Sequence, residues 1–273
     1  MKLGLGASDV SIVDLIELAN QNEVSGILTR KQQLGSLSPS ELRDLVDLND
    51  LEICQWGSWD YNPLLPTPQT LQTALEDIAI AKEIGSHTVV MPGGSFNQEH
   101  PFCAHPDNFD DRAIAKAASS LQPVAEVAEE KGVVVALEFH FATVMKDWAA
   151  CKHLLEQIGS AWIQLEFDAG NMVQLENYWD TRALLHQGFD LVGNSIATCH
   201  VKDIILRNQL HFHMDDCPAG EGCIDWVELI KLVGERLHPD TYLIIEHTPT
   251  DKIAGTIDYM RTCAAKAGAG IQG

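Results

Sequence analysis

The sequence predicts a single (β/α)8 barrel over residues 1–273, and three observations predict it. Eight short apolar runs punctuate the chain, at residues 2–5, 25–28, 51–55, 88–91, 133–138, 163–168, 196–200 and 242–246. Amphipathic segments of helical spacing separate them, and each run with its helix takes about 34 residues, the size of one βα unit. Runs rich in Val, Ile and Leu and bounded by turn residues suit strands buried on both faces, as in a parallel sheet. The rival, an open doubly wound sheet, would bring a glycine-rich phosphate loop after its first strand. Leu5-Gly6-Ala7-Ser8 stands there instead, which is not GxGxxG.

The elements follow in order. After the first two runs, Ser38-Pro39-Ser40-Glu41 forms a capping box with proline at the first helical position, and Leu42, Leu45, Val46 and Leu48 continue it. Beyond the third run, Thr67-Pro68 opens a helix whose Leu71, Leu75, Ile78 and Ala81 share a face and which Gly85 stops. The fourth run leads into a long loop with His100, His105, Asp107 and Asp110, read as a lid or an interface element. A helix over 111–130 comes next, with Ile114, Ala118, Leu121, Ala125 and Ala128 as its buried stripe; Pro123 is expected to kink or divide it. Further helices are expected over 146–158, 179–187 and 226–237, and an amphipathic segment near 257–264 closes the chain.

Hydrophobic residues make up 45% and charged residues 21%, so a large core is available and global disorder is excluded. Acidic residues outnumber basic ones by 39 to 18, a formal net charge of −21. That field repels phosphate polymers and anionic lipid surfaces, so nucleic-acid and membrane binding are disfavoured, whereas a small neutral substrate, or an anionic one held by a local basic group or metal, stays open. The start, MKLGLGASDV, does not read as a signal peptide, and no run approaches about 18 apolar residues. Seven cysteines, an odd number without a CxxC pair, read as reduced thiols in a cytoplasmic protein. Cys54, Cys151 and Cys199 sit in apolar contexts; Cys217 and Cys223 are the alternative, a metal pair.

Four late strands end alike. The fifth runs into Glu138, the sixth into Asp168, the seventh into His200 and the eighth into Glu246. Polar residues at the C-terminal ends of barrel strands face the mouth, where such folds hold their chemistry. Crowded carboxylates there would repel one another and be poorly solvated. One divalent cation removes that penalty, and three carboxylates with one imidazole suit Mn²⁺, Mg²⁺, Co²⁺ or Zn²⁺. The plain alternative is an acidic cluster compensated by Lys202 and solvent.

Glu138 in ALEFH, Asp168 in EFDAGN, His200 in CHVKD, Gly220-Glu221-Gly222 with Asp225-Trp226, and Glu246 in IIEHT together resemble the xylose-isomerase-like TIM-barrel superfamily. The resemblance is to its sugar-phosphate isomerase/epimerase branch, related to endonuclease IV, and it holds in order and spacing from about residue 70 onward. It implies that Glu138, Asp168, His200 and Glu246 bind one divalent metal. It further implies that Glu138 and Glu246 flank a substrate and shuttle its proton, and that copies of the chain associate through barrel faces. The chemistry is coherent on its own terms: moving a proton between carbons beside a carbonyl needs an electrophile on the oxygen and a base on the carbon. Where many epimerases of that branch carry Asp-x-x-His, this chain has Asp168-Ala169-Gly170-Asn171, so Asn171 is expected to hydrogen-bond a hydroxyl but cannot titrate. The third and fourth strands end in Gln55-Trp56-Gly57 and Met91-Pro92-Gly93, without the early histidines of the endonuclease branch.

Trp56 and Trp59 are expected to form a sugar-stacking wall, against the alternative of packing under a loop. His140, two residues beyond Glu138, is expected to share its side of the strand and touch substrate; His247 is expected to alternate away from Glu246. Lys202 is a substrate or carboxylate partner, Arg30, Lys31 and Arg207 are phosphate grips unless merely solvated, and His213 with Asp215 is a second metal site if one exists. The leading function is a metal-dependent isomerase or epimerase of a sugar or sugar phosphate, working through a metal-stabilised enediolate. The rivals are a dehydratase of inosose or dehydroshikimate type on the same scaffold, a sugar-binding barrel without turnover, and a nucleic-acid phosphodiesterase.

Overall fold

The computed structural model describes residues 1–273. Its strands are β1 (Lys2–Gly6), β2 (Gly26–Arg30), β3 (Glu52–Gly57), β4 (Thr88–Pro92), β5 (Val134–Glu138), β6 (Ile163–Phe167), β7 (Ile196–Val201), β8 (Asp203–Arg207), β9 (His213–Cys217) and β10 (Tyr242–Ile245). β1 to β7 pair in parallel in chain order, and β10 closes the barrel by pairing with both β7 and β1. The helices are α1 (Ile12–Gln21), α2 (Pro39–Leu48), α3 (Pro68–Ile84), α4 (Asp111–Lys131), α5 (Trp148–Ile158), α6 (Thr181–Val192), α7 (Trp226–Arg236) and α8 (Ile253–Ala267). The expected (β/α)8 barrel is therefore the observed one. No helix is long and apolar enough to cross a membrane.

Local chemistry explains most boundaries. At α2, Ser38 Oγ accepts from the Glu41 amide at 3.3 Å while Glu41 Oε2 accepts from the Ser38 amide at 2.8 Å, so two orphan donors are satisfied reciprocally. Gly85 ends α3 in the left-handed conformation, φ 83°. α6 starts at Thr181 rather than 179, because Asp180 accepts from the Ala183 amide and caps the helix. Pro123 neither divides nor ends α4, which runs unbroken through it. Both halves bury one continuous stripe, including Ala117, Leu121, Val124 and Ala128, and the Tyr61 hydroxyl donates to the Ser120 carbonyl at 2.6 Å in the turn that the proline disturbs.

Two apolar clusters hold the barrel. The larger fills the space between strands and helices; the smaller, Leu28, Cys54, Val90, Tyr242 and Ile244, is a separate cluster drawn from the strands alone. Strand alternation is broken once on β3. Ile27 pairs with Ile53 but Leu28 with Gln55, so Cys54 is a bulged residue. One extra residue flips the side-chain phase beyond it. Gln55 accordingly joins the barrel interior and Trp56 turns to the helix layer.

The segment after β7 is not a plain loop. β8 and β9 form an antiparallel hairpin in full register from Asp203↔Cys217 to Arg207↔His213. Its root is Asp203, fully buried, whose carboxylate accepts from the amides of Ile204 (2.9 Å), Gly220 (3.0 Å) and Ile224 (3.0 Å) and from Trp226 Nε1 (2.9 Å). Four donors on one carboxylate compensate its burial and pin the Gly220–Asp225 loop to the start of α7.

Candidate active site

Glu138, Asp168, His200 and Glu246 come together at the C-terminal mouth. Each offers a ligand atom, and these atoms all lie within 4.8 Å of one another. All four side chains are buried. Glu138 ends β5, Asp168 follows β6, His200 lies within β7 and Glu246 follows β10, so four separate strand ends supply one point.

A polar layer lies directly beneath. Residues two apart on a strand share a face, so Glu166 sits under Asp168 and Thr198 under His200, and the bulge on β3 adds Gln55. The Gln55 amide donates to Glu166 Oε2 (2.6 Å) and Thr198 Oγ1 (2.8 Å), and the Thr198 hydroxyl donates to Glu166. Those donations fix the Gln55 amide, leaving its Oε1 to accept from His200 Nε2 at 2.8 Å. His200 therefore presents Nδ1 to the mouth, the kind of orientation that outer partners give a metal-binding imidazole. Nothing in the strand-end pattern of the sequence singled out Glu166; the signal was its i−2 relation to Asp168.

The cleft above has a volume of about 390 Å³ and is walled by residues from β1, β2, β5 and β9 and from the segments that follow β3, β4, β6, β7 and β10. Asn171 lines it and donates to Glu138 Oε1 at 2.9 Å. Lys202 lines it with Nζ 2.8 Å from Asp168 Oδ2 and 3.5 Å from Glu246 Oε1. His140 lines it too; its Nδ1 accepts from the Ala142 amide at 3.1 Å, and burial, with Lys202 nearby, holds its pKa down to about 4. A neutral ring with the proton on Nε2 follows. His100 and Phe102 bring the loop after β4 over the cleft.

Other expectations change. Trp56 does not reach the cleft: it is fully buried and its indole donates to Asp77 on α3 at 3.1 Å, because of the phase change on β3. Trp59 is the tryptophan at the rim, with Nε1 3.4 Å from Glu138 Oε2. Its indole lies against Gly57, where a Cβ would meet the ring at 1.8 Å. His247 does not alternate away. Its backbone is left-handed, φ 49°, so it joins Glu246 on the cleft wall, where its ring donates from Nδ1 to Asp216 Oδ2 at 2.7 Å. Arg207 is spent on Asp215 at 2.6 Å, and His213 pairs with the same Asp215 at 2.7 Å on the exposed hairpin, away from the cleft. Glu221, in the turn between its two glycines, pairs with Lys252 at 2.7 Å and does not line the cleft.

The xylose isomerase-like TIM barrel family matches residues 13–263 of this sequence. The chain belongs to that family. An inosose dehydratase of Clostridium beijerinckii is 23% identical over 246 residues, 83% of this chain and 80% of the relative. D-psicose 3-epimerase of Clostridium cellulolyticum, solved with D-tagatose, superposes with a TM-score of 0.73 at 14% identity, covering 96% of this chain and 99% of that one. The IOLI protein, solved with a bound zinc atom, superposes at 0.75 with 15% identity and 98% of each chain covered. At these identities the superpositions speak for the fold.

This xylose isomerase-like barrel has a donor set that fits a divalent ion. Asp168 Oδ2, His200 Nδ1 and Glu246 Oε1 are buried and lack a properly directed hydrogen bond. Donors about 2.0–2.2 Å from one ion stand at most about 4.4 Å apart across it, close to the observed spread. Among the protein's own charges, burial lowers the pKa of His200, but the carboxylates of Glu166 and Glu246 prevail and raise it to about 10. Burial, with Glu246 opposite, lifts Glu138 to about 7. A cation competes with both protons for its ligands. Metal affinity is therefore expected to rise with pH, by about one proton per ion between pH 7.5 and 9, and approaching two below pH 6.5 as Glu138 also protonates. Calorimetry of Mn²⁺ binding in buffers of different ionisation enthalpy reads that release directly; pH-independent affinity would remove His200 from the ligand set.

Proposed function

We propose that this barrel is a divalent-metal-dependent isomerase or epimerase of a small sugar or polyol-derived ketone. The observation that carries the reading is a pair of buried carboxylates, Glu138 at the end of β5 and Glu246 just after β10, that face one cleft from separate strands. Burial alone would raise both; at Glu246 the cationic groups of His200 and Lys202 prevail and hold it well below the usual carboxylate range, while Glu138, with neutral Asn171 and Trp59 as its donors, is raised. Titratable pairs pushed apart mark acid and base. Glu246 takes the proton from the carbon beside the carbonyl, Glu138, supplied with a proton from solvent, delivers one on the opposite side, and Glu246 then releases its proton to solvent, which resets both carboxylates. Held by Glu138, Asp168, His200 and Glu246, a divalent ion (Mn²⁺, Mg²⁺, Co²⁺ or Zn²⁺) supplies the electrophile for the carbonyl oxygen. Asn171, the Lys202 ammonium and the His140 Nε2–H supply the donors that orient substrate hydroxyls, and Trp59 supplies an apolar wall. All seven cysteines are free, which supports a reducing, cytoplasmic setting.

The likeness to an inosose dehydratase favours a second reading on the same residues, in which proton removal is followed by loss of a β-hydroxyl as water. A screen of keto- and aldo-sugars, inososes and dehydroshikimate with each of the four metals in D₂O separates the two. An isomeric product carrying deuterium on the carbon beside the carbonyl is expected. A product lighter by water supports the dehydratase, and saturable binding without product in any case overturns both.

A further inference from the structure

Seven arginines stand in a chain with 39 acidic side chains. Six of them, Arg43, Arg112, Arg182, Arg207, Arg236 and Arg261, have a carboxylate within 4.0 Å. Arg30 has none, although it is half-buried at the end of β2 and lines the catalytic cleft. Its Nε is buried without a hydrogen-bond partner, and its one protein contact of that kind is a long 3.3 Å donation from Nη2 to the Ser8 carbonyl. In a molecule so rich in acid, leaving the one cleft arginine without a counter-ion is costly unless a ligand provides it.

The surroundings hold this guanidinium in place. It lies 5.7 Å from the Trp59 ring centroid, a cation–π distance. Across the other side, the buried Gln33 amide donates to the carbonyls of Ala7 (2.8 Å) and Val10 (3.1 Å) and so staples the turn after β1, which sets Ser8 beside the arginine. The same Trp59 reaches Glu138 with its indole nitrogen. One rigid ring thus spans from the proton-transfer carboxylate to the unpaired cation. The geometry points to an anion subsite: Arg30, with Ser8 beside it, receives a carboxylate or phosphate borne by the substrate, remote from the carbonyl that reacts at Glu138 and Glu246. This rests on the proton-transfer reading for the placement of the carbonyl end, and it assigns the substrate class as an acidic sugar derivative rather than a neutral sugar. A planar fork with free N–H groups suits either anion.

Matched probes that differ only in the anion test it. Equilibrium binding to the Mn²⁺-loaded protein is measured by calorimetry for ribulose 5-phosphate against ribulose, and for 3-dehydroshikimate against its methyl ester. The anionic member of one pair is expected to bind about 10- to 100-fold more tightly, and the pair that shows the preference identifies phosphate or carboxylate. Arg30→Met is expected to bring that ratio to within about threefold while leaving the neutral member's affinity unchanged, and Arg30→Lys to keep part of the preference. Equal affinities within both pairs, undetectable binding of both anions, or a preference that survives Arg30→Met overturns the subsite. Should Arg30→Met fail to fold, the wild-type ratios and Arg30→Lys decide alone, an unchanged ratio in Arg30→Lys at raised ionic strength counting against it. Anion preference without turnover of any probe would leave the subsite standing and remove the proton-transfer reading; turnover of neutral probes without preference would do the reverse.

Discussion

Glu246→Gln is expected to lower kcat by about 10²- to 10⁴-fold, the contribution of a positioned general base. Glutamine keeps the shape but neither accepts a proton nor carries the charge that His200 Nδ1 (3.2 Å) and Lys202 Nζ (3.5 Å) surround. Because Glu246 also belongs to the proposed ligand set, kcat is to be measured at saturating Mn²⁺, with occupancy confirmed by calorimetry, so that lost chemistry is not mistaken for lost metal. The partner substitution sharpens the assignment. Glu138→Gln retains the acceptor that Asn171 Nδ2 meets at 2.9 Å, yet it cannot deliver a proton. It is expected to lose product formation while still exchanging substrate hydrogen with D₂O through Glu246, whereas Glu246→Gln loses exchange as well. The opposite pattern would reverse the two roles, and retention of a tenth or more of wild-type kcat by Glu246→Gln would remove it from proton transfer.

What the sequence disclosed, and what it hid, divides along one physical line. Barrel strands buried on both faces announce themselves as apolar runs, and a polar residue closing such a run has only the mouth to face; Glu138, Asp168, His200 and Glu246 were legible for that reason. Features that depend on phase were not. A bulge at Cys54 exchanges the positions of Gln55 and Trp56, placing a glutamine where it orients His200 and the tryptophan against Asp77. The left-handed residue His247 cancels the alternation that would have sent it away from the cleft. α1 carries Ile12, Leu15, Ile16 and Ala19 on its buried face and opens on Ser11, whose hydroxyl accepts from the Asp14 amide, but it lacks the proline that marks the start of α2 and α3. The β8–β9 hairpin offers one short apolar run, Ile204-Ile205-Leu206, so close behind β7 that it does not read as a strand of its own, and its organiser Asp203 acts mainly through backbone amides that no side-chain pattern records.

Lys202 connects the architecture to the metal question, and Lys202→Met is expected to produce the largest stability change among single substitutions in the cleft. The ammonium is buried, 4% exposed, between Asp168 and Glu246. Burial alone would strip its proton, but the Asp168 and Glu246 charges more than compensate and hold its pKa well above the ordinary lysine value. Methionine preserves much of the stem's volume and removes the charge, leaving His200, with His247 beside Glu246, as the cationic groups that remain to these carboxylates. Breaking a buried ion pair from one side destabilises by about 3–5 kcal/mol, and at this chain length that corresponds to a melting temperature lower by roughly 6–20 °C. The decisive comparison is made with and without Mn²⁺. A divalent ion supplies to the same carboxylates the positive charge that the substitution removed, so the deficit measured by calorimetry in chelator should shrink substantially at saturating Mn²⁺, and the variant's melting temperature should rise more on metal addition than the wild type's. An equal deficit under both conditions would mean that Lys202 and the ion do not share carboxylates, and the four converging side chains would then need another explanation than a metal.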